Sequence, residues 1–326
     1  SMKRSYIVYT TIFAVVSGLI LCVLLVFSKP ETLSRIQETF AKIETQSQHQ
    51  AAVKQVPSKT PSAIPNPEEP LIKNVQQMLY DDSIGSYLVV TDDYRFFEIS
   101  GTGERINASF QLEEGKILLA GLDGMTLVDG ETVALLTSNQ ILVTIKRKDG
   151  VWSEEKREKV QGTTIRDSFH GLGYDAKKKE FYTINHIRSI GRVELTYFAM
   201  KEDEIKIDPD ASEKKKRALK KKQKPPYLSV IKREKVEAAD GMRSDAKKAF
   251  ESEFRPIGLA ERQGRIYTLD SEALYLYSID RKDQTITGET ASPKVYGSKG
   301  IFVQDNELFA LVVTDKFSSR SFTPID

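Results

Sequence analysis

The chain has 326 residues, 48 basic against 46 acidic, for a formal net charge of +2. That length sets an expectation of two to three units of ordinary domain size, although one β architecture can reach ~250 residues. Cys22 is the only cysteine, which excludes an intrachain disulfide and, beyond the N-terminal segment, catalysis by a thiolate.

From Ser5 to Ser28 the chain reads SYIVYTTIFAVVSGLILCVLLVFS, without a charged residue. At ~1.5 Å per residue this makes roughly 36 Å of helix, enough to cross a bilayer core of ~30 Å. A transmembrane helix over 5–28 is therefore expected. Lys3 and Arg4 ahead of it predict a cytoplasmic tail at 1–4, a bacterial inner-membrane location and an exported, periplasmic remainder. Lys29, Arg35 and Lys42 pull against that orientation. A signal peptide cleaved after Ser28, with Val26 at the −3 position, is the competing reading, but its apolar region would be unusually long.

Leu33, Ile36, Phe40 and Ile43 recur at spacings of three and four, predicting an amphipathic helical stalk within 29–55. The stretch VPSKTPSAIPNPEEP, residues 56–70, holds five prolines and predicts an extended spacer of ~3 Å per residue. A globular domain is then expected over 71–326.

That domain repeats itself. Four segments begin with a residue followed by Gly and an apolar position and reach an alternating strand about ten residues later: "LDGMTLVDGETVALLTSNQILVTI", "FHGLGYDAKKKEFYTIN", "PIGLAERQGRIYTLDSEALYLYSID" and "KGIFVQDNELFAL". A fifth, "GSYLVVTDDYRFFEIS", enters at the second strand of the same scheme. Gly124, Gly171, Gly258 and Gly300 mark the repeats, and turn residues such as Asp129-Gly130, Gln263-Gly264 and Asp305-Asn306 fall between the strands. Strands this short cannot bury a core alone. Stacking small antiparallel sheets around an axis solves the problem, so an all-β propeller of five blades is expected, or six if 225–250 forms one.

The blade series resembles the SdiA-regulated family of membrane-anchored periplasmic β-propellers and, more distantly, NHL and gluconolactonase-type propellers, over about 85–326. The resemblance implies a carboxylate before the glycine of several blades and a cation, Ca²⁺, in the central channel. This sequence has Asp123, His170, Ile257 and Lys299 at those places. Only Asp123 is a carboxylate, while hard cations take six or more oxygen ligands. No cofactor is expected, and Asp123, His170 and Lys299 are candidate channel-lining residues. Should they converge, Asp123 and Lys299 could pair in place of an ion. His170 and His186, on successive strands of one repeat, could approach each other, yet spacing supplies no third ligand.

The run KKKRALKKKQK, residues 214–224, holds eight bases and no acid, so the rest of the chain carries six more acids than bases. It falls within a Lys-rich insertion at about 201–250 and predicts an exposed contact surface of Lys214, Lys215, Lys216, Arg217, Lys220, Lys221, Lys222 and Lys224. No aromatic residue interleaves the run, which argues against nucleic acid. The aromatic stretch around Tyr94, Phe96 and Phe97 is either a contact surface or filler between blades. Together these features predict a membrane-anchored, non-enzymatic interaction or ligand-binding module that engages an envelope protein. A metal-dependent lactonase- or esterase-like hydrolase in the channel is the alternative.

Overall fold

The computed structural model describes residues 72–112, 119–203, 209–221, 224–312 and 321–325. The expected transmembrane helix, stalk and spacer lie outside these residues. Among the described residues no helix is long and apolar enough to cross a membrane.

The chain forms five antiparallel sheets in sequence order. The first holds β1 (Val75–Asp81), β2 (Ser86–Thr91), β3 (Arg95–Ser100) and β4 (Ile106–Gln111). The second holds β5 (Leu122–Asp129), β6 (Thr132–Thr137), β7 (Ile141–Lys148) and β8 (Val151–Lys159). The third comprises β9 (Phe169–Asp175), β10 (Glu180–Ile187), β11 (Arg192–Lys201) and β12 (Tyr227–Lys235). In the fourth, β14 (Ile257–Arg262), β15 (Arg265–Asp270), β16 (Tyr275–Asp280) and β17 (Thr285–Thr290) are joined at the outer edge by the short β13 (Glu237–Ala238), parallel to β17. The last has, among the described residues, three strands, β18 (Gly300–Gln304), β19 (Glu307–Leu311) and β20 (Phe322–Pro324). Neighbouring first strands touch in the closed cycle β1, β5, β9, β14, β18 and back to β1, so each sheet is a blade and its first strand is innermost.

Tight hairpins make the blades. Gln263 and Gly264 have φ of 52° and 77°, and Asp305 and Asn306 have 50° and 62°, the paired positive values of a two-residue type I′ turn. The strands β2 and β6 are buried at every position. Each blade is covered on both faces, so side chains alternate between two cores rather than between core and water. On β2, Leu88 and Val90 join Val133, Leu135 and Trp152 of the second blade. Tyr87 and Val89 turn the other way, toward Phe302 of the fifth. The hydrophobic core is accordingly five separate layers, one at each junction between blades.

Five blades, the main sequence expectation, are present; its alternatives and the single insertion are not. The blade number is five: residues 227–235 are the outer strand of the third blade, and the helix α2 (Ser244–Glu253) follows instead of a sixth sheet. The interval 201–250 is thus not one insertion. Its first half, carrying helix α1 (Glu213–Lys221), is a hairpin excursion between β11 and β12. Its second half links two blades and packs Ala246 and Phe250 of α2 into the core between them. Finally, Phe96 and Phe97 are buried, the Phe96 ring tilted against Phe110 at 5.3 Å and Trp152 at 5.2 Å, so these aromatics fill the space between blades.

Candidate functional site

Because strand order from the axis outward is the same in every blade, all inner strands start at one rim, termed upper here. The loops from outer strand to next inner strand, and from second to third strand, lie on it; the other hairpins form the lower rim.

The glycines of the repeats occupy equivalent places on the inner strands, near the upper rim. A Cβ at Gly124 would stand 2.5 Å from the carbonyl carbon of Gly171. One at Gly171 would stand 2.7 Å from the carbonyl carbon of Gly258, and one at Gly258 would stand 2.9 Å from the amide nitrogen of Ile301, next to Gly300. Four consecutive inner strands therefore touch backbone to backbone, each glycine admitting the next. Gly171 and Gly258 also have φ of 74° and 62° and sit in irregular stretches of the β9–β10 and β14–β15 ladders. Thr183 and Thr268 donate hydroxyl hydrogen bonds of 2.7 and 2.8 Å to the Gly171 and Gly258 carbonyls, holding these bulges. At the fifth place stands Gln77, whose Nε2 donates to the Leu122 carbonyl at 3.3 Å.

One residue before each of these places are Gln76, Asp123, His170, Ile257 and Lys299, so the sequence candidates do share one tier. Asp123 is half-buried, and burial alone raises its pKa to about 7. His170 is also half-buried; burial first, then the nearby His186 and Arg188, lowers its pKa to about 4. Its Nε2 lies 3.1 Å from the Ser168 hydroxyl. Lys299 is exposed, its backbone amide donating to the Leu311 carbonyl at 3.0 Å. Among the described residues Asp123 and Lys299 form no ion pair; the tier brings them to one level without joining them. His186 sets its ring edge-on to Phe254 at 5.7 Å, and its buried Nδ1 has no hydrogen-bond partner among the described residues. Among those residues no three His, Cys, Asp or Glu side chains gather as metal ligands would.

The other group of candidates lies on the opposite rim. Lys214, Lys215, Arg217, Lys220, Lys221 and Lys224 are exposed, and Lys216, less so, pairs with Glu213 at 3.4 Å. Lys222 lies outside the described residues.

Sequence reasoning missed two polar clusters. Beside the tier, the loop residue Asp167 is buried and accepts two 2.8 Å hydrogen bonds from Arg233, one of 2.9 Å from Asn185 and one of 2.8 Å from the Thr164 amide. These contacts hold its carboxyl below the usual range, against the opposing effect of burial. Between the first two blades, buried Glu98 accepts from the Trp152 indole at 2.6 Å and from the Ser86 hydroxyl at 3.3 Å. One partial signal was present: KREK occurs at 156–159 and again at 232–235, marking the charged outer strands β8 and β12, the second of which carries Arg233.

No family model matches the chain, the SdiA-regulated family included, and no curated protein sequence matches it. Solved structures similar in fold include the glutaminyl cyclase of Myxococcus xanthus, 15% identical over 78% of this chain and 90% of that one, with a TM-score of 0.45. A nidogen/laminin complex is 10% identical over 73% and 72%, with a TM-score of 0.42. The PQQ-bound aldose sugar dehydrogenase of Streptomyces coelicolor is 11% identical over 74% and 88%, with a TM-score of 0.41. These likenesses concern the propeller fold and do not bear on function.

Proposed function

We propose that the chain is a single-pass membrane protein whose propeller stands on the periplasmic side and works as a non-enzymatic binding module of the cell envelope, taking its ligand or protein partner at the upper rim. The anchor reading rests on the uncharged stretch Ser5–Ser28 preceded by Lys3 and Arg4. The observation that carries the binding reading is the tier itself. Five equivalent positions hold five chemically different side chains: an amide, a carboxyl with pKa about 7, an imidazole neutral above about pH 4, an aliphatic chain and a lysine. A ring of identical carboxylates would suit an ion; this one suits an asymmetric polar surface. One carboxyl and one amide are far from the six or more oxygens a hard cation takes, and activating water for hydrolysis needs such a cation or a comparable base set.

Photo-crosslinking in the native membrane tests the assignment. A photoreactive residue at Lys299 should give a discrete adduct, and one at Lys148, on the lower rim, none. Divalent-metal-dependent hydrolysis of esters or lactones by the purified chain, abolished by Asp123→Asn, would overturn the binding reading.

A further inference from the structure

Helix α1 concentrates cations on one short exposed element with a single acidic residue among them. Elsewhere basic residues of the outer strands are paired: Lys232 with Glu234, Arg233 with Asp167, Lys235 with Glu237 at 2.7 Å. On α1, among the described residues, only Lys216 has an acidic partner. Lys214, Arg217 and Lys221 are spaced by three and four, so they form one stripe along a single helix face, with Glu213 at its start and Ala218 within it. No residue of the helix is buried; packing does not require these lysines.

We propose that α1 is an electrostatic footing for an anionic phospholipid surface, which turns the lower rim of the propeller toward a bilayer and leaves the upper rim open. Charge complementarity is the first argument. A cluster of four to eight basic residues on an exposed helix gains roughly fivefold in membrane partition per cation near anionic lipid. The helix offers Leu219 and Ala218 as its only apolar side chains, so attachment is to headgroups rather than by insertion. The second argument is reach. The chain enters the propeller at the upper rim, through Ile72 and Val75, whereas α1 lies on the lower one. A strand of eight residues is about 26 Å long at ~3.3 Å per residue. The proline-rich spacer of 15 residues over 56–70 reaches roughly 45 Å in the extended form that its sequence predicts. A tether of that length lets the lower rim face the membrane in which the N-terminal stretch is expected to sit, and tethering raises the effective concentration of the helix there. The absence of aromatic side chains from the run disfavours a nucleic acid.

The proposal shares the anchor expectation but not the assignment of the upper rim, so each can fail alone. The full chain would be reconstituted into phosphatidylcholine bilayers, with and without 30% phosphatidylglycerol as a working composition (~30%, chosen to match an anionic leaflet). Acetylation of individual lysines would then be read by mass spectrometry. Lys214, Lys215, Lys220 and Lys221 should lose at least fivefold in reactivity (about one cation's contribution) when the anionic lipid is present and regain it at high salt. Lys294 and Lys299, on the upper rim, should not change. Replacing Lys214, Arg217 and Lys221 by Gln should weaken binding of the chain to anionic vesicles by roughly 100-fold, and since these side chains are exposed the propeller should remain folded. Equal reactivity in both bilayers would overturn the proposal, as would protection conferred by an acidic polypeptide or duplex DNA but not by phosphatidylglycerol.

Discussion

Replacing Gly171 by Ala tests the backbone ring directly. A methyl group there would stand 2.2 Å from Leu259 Cβ, 2.5 Å from the Leu259 nitrogen and 2.7 Å from the Gly258 carbonyl carbon. All three are backbone atoms or a Cβ, so no rotamer change relieves them and two blades must move apart. Overpacking of this kind costs about 1–3 kcal/mol. The φ of 74° adds about 1–2 kcal/mol for a residue with a Cβ, giving roughly 2–5 kcal/mol in all. Two other glycines separate the contributions. Gly264 has φ of 77° and nothing within 4 Å of a built Cβ, so Gly264→Ala should cost only the conformational part, about 1–2 kcal/mol. Gly300 has neither a positive φ nor a neighbour within that distance, so Gly300→Ala should be neutral or gain about 0.4–1 kcal/mol. Trp152, the only tryptophan and buried between the first two blades, reports unfolding in urea. With a slope near 3 kcal/mol per molar, Gly171→Ala should lower the midpoint by roughly 1 M. A Gly171→Ala midpoint no lower than that of Gly264→Ala would refute the claim that glycine contacts set the close approach of the inner strands.

Two further outcomes follow from the buried charges. The Asp123 carboxyl has its pKa raised from 3.8 to about 7 by burial, so between those values the folded state holds a proton that the unfolded state has lost, and stability falls as pH rises. His170, lowered from 6.5 to about 4, acts oppositely, costing stability as pH falls from 6.5. Asp123→Asn should therefore be more stabilising at pH 8 than at pH 5 when melting temperatures are compared with the unmodified chain; a gain independent of pH would contradict the placement of Asp123. Arg233→Met should strand the buried Asp167 carboxylate. Removing one partner of a buried pair costs about 3–5 kcal/mol, and with Arg233 itself 26% exposed the lower end, about 3 kcal/mol, is expected in urea unfolding. A loss below about 1 kcal/mol would place the pair with ordinary surface bridges.

The sequence disclosed the inner and middle strands because their chemistry is forced. A glycine is required where inner strands touch backbone to backbone, and Gly124, Gly171 and Gly258 each meet the following blade in that way. The middle strands, covered on both faces, read as unbroken apolar runs such as Val133–Leu136. The outer strands were not legible for the converse reason. With one face in water, β8 and β12 read as charged segments, and 227–235 looked like part of an insertion. The tier of Gln76, Asp123, His170, Ile257 and Lys299 was legible at four of its positions from the glycine spacing. Its fifth member was hidden because β1 has Gln77 where the others have glycine. The Asp167–Arg233 pair spans 66 residues of sequence, and nothing local at either end announces the other.

The junction between the last blade and the first is built differently from the rest. Among the described residues, all strands of the first blade come from the start of the propeller and all those of the last from its end, so none of them is shared across the junction. Where β5, β9, β14 and β18 meet one another through glycine, β18 meets β1 with nothing within 4 Å of a Cβ built at Gly300, and the contact is moved outward to side chains. Tyr87 donates to the Gln304 side chain at 2.7 Å and packs 5.2 Å from Phe322 and 6.3 Å from Phe302. Phe302 and Phe309 stack at 5.5 Å, with Ile72, Val75 and Met78 of the entering chain completing the layer. Aromatic pairs contribute about 0.5–1.5 kcal/mol each beyond their buried area, so several of them hold together a junction that lacks both strand exchange and the glycine contact. The entering residues Ile72 and Val75 belong to that same layer. The first described residues of the chain are thus part of the layer that closes the propeller.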